Sequence, residues 1–511
     1  MAICFTHSTF RRAAVRVLFA AGVILQASII LSQAGDGFWR PWLSDARHDF
    51  NIDFFTLYEA GHRVWHGADA YTGAPGLAPA TPYPYVSGMR YPPAAAYLLG
   101  VPLRALGRPQ TAGDVWQAML RAMLLVVLAA LWRASGSPAA ATLGGAAHRV
   151  PTAGGRDLFY FLGGMWLCFP PYVVEFQLGQ FSLLMALLLL LAYLGWRGCR
   201  PGRAAALWTL TLLLKTWSVL FVPFLWRTGR RRTVGFGLGV LALGTVPYFI
   251  LHPAGWEQFR GLNASLPQLL DWRTYVSSLS FPALFAAVFG PLVRQPVLAT
   301  MWGLTVTPGR LMGWAITAAL LGGAFWATWL AGAGPAAAAQ PAIGRRQSLI
   351  ARDALLFALW STAFFFIYRD VWENHFIMLL PALTALALDG GVRWRWVALA
   401  FFLLAVPTPY GLWNKAPDVV AGAGAGVDGL QQGVSVGGMI GPEALRQNLL
   451  FEVYWSPWQR LLYHALRPAG VLVVYVAAFA GLSRTCRDAA CRTLVAGERG
   501  RRAASGGFKG A

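Results

Sequence analysis

Apolar residues in this chain gather into long unbroken runs. Stretches such as LLMALLLLLAYLGW and LMGWAITAALLGGAFWATWLA, with their flanks, reach roughly 18 or more residues, enough to cross a bilayer as helices. Candidate spans lie near 13–32, 91–107, 114–133, 157–174, 180–197, 203–226, 232–251, 278–293, 310–331, 352–368, 374–390, 394–412 and 461–483. The pattern predicts an all-α fold, a polytopic transmembrane helical bundle. Basic residues at both ends put both termini on the cytoplasmic side, so the number of crossings should be even. One candidate must then be re-entrant or interfacial. The 278–293 segment, short and broken by Pro282 and Pro291, is the first choice and leaves about twelve crossings. That arrangement puts the arginines between 197 and 203 outside. Treating 91–107 and 203–226 as the irregular segments would put them inside.

The polar segments divide the chain further. Residues 1–12 read as a cytoplasmic N-terminus, 13–483 as the transmembrane domain and 484–511 as a basic, disordered cytoplasmic tail. Long non-cytoplasmic loops fall near 33–90, 252–309 and 413–460. Within the first loop, residues 53–66 carry a helical period: Phe54, Leu57, Tyr58, Gly61, Val64 and Trp65 share one face. Glu59, His62, Arg63 and His66 take the other. Such a helix is expected to lie in the membrane interface with its aromatic face among headgroups. Asp53 stands at its start, where a carboxylate commonly caps the first turn.

Composition sharpens the class. Charged residues make up 12% of the 511, about half the usual share in a soluble domain. The net charge of +21 does not point to nucleic acid, because the arginines cluster in short loops and at the ends. Arg227, Arg230, Arg231 and Arg232 form one cluster, and Arg345 with Arg346 another. The partners expected from this distribution are membrane lipids. Cys4, Cys168, Cys199, Cys486 and Cys491 are scattered, with neither metal-site spacing nor a disulfide framework.

Several short motifs follow in a recognisable order. Asp53-Phe54…Tyr58 is succeeded by Gly67-Ala68-Asp69-Ala70-Tyr71 and by Tyr91-Pro92-Pro93. Gly179-Gln180 leads into a leucine-rich helix, Lys215 and Pro223 precede the basic TGRRR, and His375 stands before a Leu-Leu-Pro helix. Over roughly residues 50–390 this layout resembles glycosyltransferase family 87, membrane mannosyltransferases of the GT-C fold that use polyprenyl-phosphate sugars. One departure is that Thr216-Trp217-Ser218 follows Lys215 where an aromatic-proline pair is commoner.

The resemblance implies a multi-pass protein of the cell (plasma or inner) membrane with its active site on the non-cytoplasmic face. It would move a sugar, mannose first among the choices, from a polyprenyl-phosphate donor to a lipid-linked or glycan acceptor. Asp53 takes the place of the general base, with Asp49 as its neighbour and competitor. Lys215, an ion inside an apolar run, would bind donor phosphate or else reach to an interface. His375, Arg90, Gln180 and Tyr91 complete the expected donor or substrate contacts. No cofactor is expected and a metal is not needed, since the donor carries a single phosphate. The alternative is a transporter or flippase of the same lipid-linked sugar, which would favour related halves and paired broken helices.

Overall fold

The computed structural model describes residues 7–33, 51–80, 89–136, 154–269, 279–281, 284, 299–301, 304–306, 308–331, 342–368, 371–407 and 456–506. The first helices are α1 (His7–Gln33), α2 (Ile52–Trp65) and the short α3 (Pro93–Ala95), which runs through a π-helical turn (Ala96–Gly100) into α4 (Val101–Ala105). Then come α5 (Pro109–Ser135), α6 (Gly154–Leu167), α7 (Tyr172–Leu178), α8 (Ser182–Arg197) and α9 (Pro201–Leu214). A 3-10 helix (Thr216–Phe221) leads to α10 (Val222–Arg227), α11 (Arg231–Leu251) and α12 (Pro253–Leu269). A two-stranded antiparallel hairpin, β1 (Ala299–Met301) and β2 (Leu304–Val306), precedes α13 (Pro308–Leu330) and α14 (Ala342–Ile367). A second 3-10 helix (Glu373–Leu379), α15 (Leu380–Leu388), α16 (Trp394–Ala405) and α17 (Pro457–Gly506) complete the order.

Among the described residues, six helices are long and apolar enough to cross a membrane. The pair α6–α7, bent by 48°, makes a seventh if it is one span. The bend falls at Pro170-Pro171, where the ring removes backbone donors and crowds the preceding turn. Three shorter apolar stretches, Ser182–Arg197, Glu373–Leu388 and Trp394–Ala405, lie between the long ones. In α8 almost every side chain is buried by protein, as expected for a helix that is hydrophobic all round. The six long helices and the bent pair fall on seven of the expected spans, while those near 180–197, 374–390 and 394–412 hold only the shorter helices. The 91–107 and 203–226 segments are broken by π-helical and 3-10 turns, and 278–293 lies mostly outside the described residues.

The bundle has two chemically different ends. At one end the Asp389 carboxylate accepts from Arg197 Nε at 2.7 and 3.0 Å and from the Tyr193 hydroxyl at 2.6 Å. Arg230 pairs with Asp353 at 2.6 Å and lies over the rings of Trp196 and Phe224. Buried charges of this kind persist only when paired and hydrogen-bonded. The basic segments around 197–203 and 227–232 therefore meet at one end. Helix α9 leads away from it, breaks at Lys215 and returns through the 3-10 helix and α10. Of the two expected arrangements, this favours the one with 91–107 and 203–226 irregular.

Two expectations for the first loop change. Asn51, in the left-handed region at φ 67°, is the N-cap of α2, and Asp53 sits inside the first turn. A left-handed residue before the helix moves its start two positions earlier than the apolar period suggests. The helix is also covered on both faces: Phe54, Leu57 and Tyr58 are buried, and so are Glu59 and His62. Glu59 accepts from the Ala80 amide at 2.9 Å, and His62 Nδ1 accepts from Arg104 Nε at 3.1 Å. Partners from distant sequence thus cover the side expected to face water. At the other terminus, helical backbone continues through Gly506, into the tail expected to lack order. Its many Arg and Ala residues are good helix formers.

Two predictions arise here. A Cβ on Gly61 would lie 2.1 Å from the Gly100 carbonyl carbon, and one on Gly100 would lie 2.4 Å from Leu57 O. Gly61→Ala gains about 1 kcal/mol of helix propensity, but the overpacking should cost roughly 1–3 kcal/mol or more. The expected result is a lower Tm in detergent, and an unchanged Tm would refute the close approach.

The second concerns His62. Burial lowers its pKa, with the Glu59 carboxylate opposing the shift. The unfolded chain takes up this proton near pH 6.5 and the folded chain only at lower pH. Between those values the unfolded state binds more protons, so stability falls as pH drops below about 6.5. His62→Gln should flatten that part of the Tm profile between pH 5 and 7.5. An identical slope in the variant would assign the effect elsewhere.

Candidate active site

At the end of the bundle opposite the Arg197–Asp389 pair, four chain breaks meet. They are the start of α2, the turn after α7, the segment before α3, and the break after α9. Each break frees a polar side chain from a regular helix face.

The start of α2 is stitched in place by distant partners. The Asn51 amide donates to Gln177 O at 2.8 Å, and Gln117 Nε2 donates to Asn51 Oδ1 at 2.5 Å. Trp116 Nε1 donates to Gly179 O at 2.8 Å while its ring stacks near Phe54. Gly179 ends α7 at φ 63°, and a Cβ there would meet Asn51 Oδ1 at 2.6 Å. Glycine is therefore required both by its conformation and by the approach of α2. The next residue, Gln180, donates from Nε2 to Asp53 Oδ2 at 2.5 Å. Gln180 is buried, and this bond fixes the Asp53 carboxylate from a point 127 residues away.

Tyr91 lies beside this pair. Its backbone carbonyl accepts from the Tyr71 hydroxyl at 2.7 Å, and its ring meets Phe181 edge-on at 4.8 Å. Burial first, and then the Asp53 carboxylate, hold the Tyr91 phenol above its usual pKa range. It therefore stays a neutral hydroxyl near Gln180, with Arg90 and Tyr368 also within electrostatic reach.

Lys215 Nζ stands over the Phe181 ring at 4.8 Å and the Tyr91 ring at 5.6 Å. Its extended backbone interrupts the helix, which carries the ammonium to this end instead of leaving it against lipid. Such cation–π placement stabilises an ion in a poorly hydrated setting. Glu175 and His375 both lie within its electrostatic reach. Glu175 is fully buried, accepting from the Leu183 amide at 2.8 Å and from Asn374 Nδ2 at 3.3 Å. Asn374 also reaches Ser182 Oγ at 3.2 Å. His375 Nδ1 accepts from the Trp372 amide at 2.9 Å, an arrangement that assigns the ring proton to Nε2.

The residues singled out from the sequence thus converge. Asp53, Gln180, Tyr91 and Arg90 form one side of the cluster, and Lys215 and His375 the other. Asp49 lies outside the described residues. Asp69 belongs to a structural turn: it accepts from the Tyr248 hydroxyl at 2.6 Å and from Thr72 Oγ1 at 2.7 Å. Glu175, Asn374, Ser182 and Phe181 were missed. Glu175 gave a usable signal, since an acid inside an apolar helix is costly for the same reason as Lys215. Asn374 and Ser182 gave none.

Chemically, the cluster offers a carboxylate aimed by an amide, a neutral phenol, and at least two cations in a low-dielectric setting. That set can accept a proton from a hydroxyl and stabilise negative charge on a neighbouring group. No curated protein matches the chain. The family model described as "Glycosyltransferase family 87" matches residues 90–345, half of the sequence. The matched span holds Arg90, Tyr91, Glu175, Gln180 and Lys215; Asp53 and His375 lie outside it and join the cluster through the fold. With its apolar crossing helices and this match, the chain belongs to glycosyltransferase family 87 and is a membrane glycosyltransferase.

Proposed function

We propose that the protein transfers a sugar, mannose in the first instance, from a polyprenyl-phosphate donor to a lipid-linked or glycan acceptor. The fold type would be GT-C and the reaction an inverting single displacement on the non-cytoplasmic face of the plasma or inner membrane. The observation that carries this reading is the Gln180–Asp53 hydrogen bond beside Lys215 and Tyr91. An acceptor hydroxyl needs a base at attack, and Asp53 is the oriented carboxylate. As the glycosidic bond to phosphate breaks, the departing phosphate gains charge and needs cations more than a proton. Lys215 supplies a fixed one, Arg90 a second, and His375 would offer its Nε2–H as a neutral donor. The acceptor proton moves to Asp53, the acceptor oxygen bonds the anomeric carbon, and polyprenyl phosphate leaves with the bonding electrons.

The basic loops at the opposite end support the orientation, since arginine clusters mark the cytoplasmic side. The reading uses no metal and no cofactor. Its test is reconstitution of the purified chain in liposomes with radiolabelled polyprenyl-phosphate-mannose and a membrane lipid extract as acceptor. Label should pass from the donor to a new glycolipid or glycan. If label stays on the donor with every extract and every polyprenyl-linked sugar tried, the proposal fails.

A further inference from the structure

The arginine-rich end holds a second cluster that plays no part in the transfer chemistry. A cavity of about 390 Å³ is lined by Trp226, Arg227, Gly229, Arg231 and Trp329. Each arginine lies over a tryptophan, Arg227 over Trp329 at 4.7 Å and Arg231 over Trp226 at 5.0 Å. Arg227 Nη2 donates to Trp329 O at 2.9 Å, which fixes the guanidinium plane. Its Nε is buried without a hydrogen-bond partner. Neighbouring Arg230 is neutralised by Asp353 at 2.6 Å, whereas among the described residues no acid pairs with Arg227 or Arg231. The cations facing the cavity are thus without an acid partner among the described residues.

We infer that this cavity binds the phosphate of an anionic membrane lipid. A guanidinium fork matches phosphate oxygens, and two guanidinium groups held over tryptophan rings without an acid partner leave the cavity positively charged. Arg231 also opens α11, a helix of 21 residues whose first amides favour an anion. The walls identify the lipid as the source. Trp226 and Trp329 are 50% and 69% exposed at helix ends, the position tryptophan takes at headgroup level. A soluble phosphate would leave those rings without a role, whereas a glycerophospholipid would lay its glycerol and upper acyl chains against them. Basic pockets between crossing helices are known to hold anionic headgroups in this way. The site is separate from the transfer cluster, because α9 and the segment after Lys215 run between the two ends.

The test is native mass spectrometry of the purified full-length chain in detergent, titrated with phosphatidylglycerol, phosphatidylcholine or inorganic phosphate. Phosphatidylglycerol should bind in preference to phosphatidylcholine, and equal inorganic phosphate should not displace it. Arg231→Gln and Arg227→Gln should each weaken phosphatidylglycerol binding about fivefold, and Arg227→Lys less. If Arg227→Gln does not fold, Arg231→Gln with Trp329→Leu carries the same test. Equal binding of phosphatidylcholine, displacement by inorganic phosphate, or unchanged affinity in Arg231→Gln and Trp329→Leu would overturn the inference.

Discussion

Asp53→Asn is expected to lower sugar transfer by about 10²- to 10⁴-fold, the contribution of a well-placed general base, with little change in Tm. The substitution is nearly isosteric. The asparagine carbonyl can still accept from Gln180 Nε2, which now reaches Asp53 Oδ2 at 2.5 Å. What it loses is the capacity to take a proton. The stitching of α2 through Asn51, Gln117 and Trp116 does not involve the carboxylate. A fall in activity can therefore be separated from unfolding by measuring kcat and thermal stability on the same preparation. Asp49→Asn, four residues earlier, is the matching control. Full activity in Asp53→Asn and loss in Asp49→Asn would move the base to Asp49.

Lys215→Met should reduce kcat/KM for the lipid donor by about 10²- to 10³-fold, as expected for removing one preorganised charge partner of the transition state. The effect has two parts that separate variants can tell apart. Nζ stands over Phe181 and Tyr91 at 4.8 and 5.6 Å, so the ammonium is held where donor phosphate would lie. It also lies within electrostatic reach of the fully buried Glu175, and leaving a buried carboxylate without a nearby opposite charge is destabilising. Lys215→Met alone should therefore lower both activity and Tm. Lys215→Met with Glu175→Gln should recover stability and leave activity low. Recovery of activity in the double variant would make Lys215 a structural counter-ion. Wild-type kcat/KM in the single variant would remove it from the site altogether.

Much of the architecture was legible because apolar runs of crossing length are a strong signal, and α1, α5, α11, α13 and α14 fall on expected spans. Local signals failed where the deciding contact is remote. Nothing near residue 59 or 62 announces that Ala80 and Arg104 will cover them. The period alone therefore read the polar face of α2 as exposed. The left-handed Asn51 was hidden for the same reason, since its conformation is fixed by Gln177 and Gln117. The 203–226 segment read as one span because its hydrophobicity continues through Lys215, while the extended backbone there turns it into an outward and a returning limb. Of the candidate site, the residues taken from motif order lie together in the fold, and the neighbours that brace them, Glu175 and Asn374 above all, were not singled out from the sequence.

The central claim is that a new glycosidic bond forms at the Asp53 cluster. The most direct measurement uses wild-type and Asp53→Asn protein in sealed liposomes, with polyprenyl-phosphate-mannose labelled at the anomeric carbon by ¹³C. Products are read by mass spectrometry and by the anomeric NMR signal. The account predicts label in an acceptor glycan with inverted anomeric configuration for the wild type, and label left on the donor for Asp53→Asn. Label that crosses the bilayer still attached to polyprenyl phosphate, equally in both proteins and with no new glycosidic bond, would contradict it.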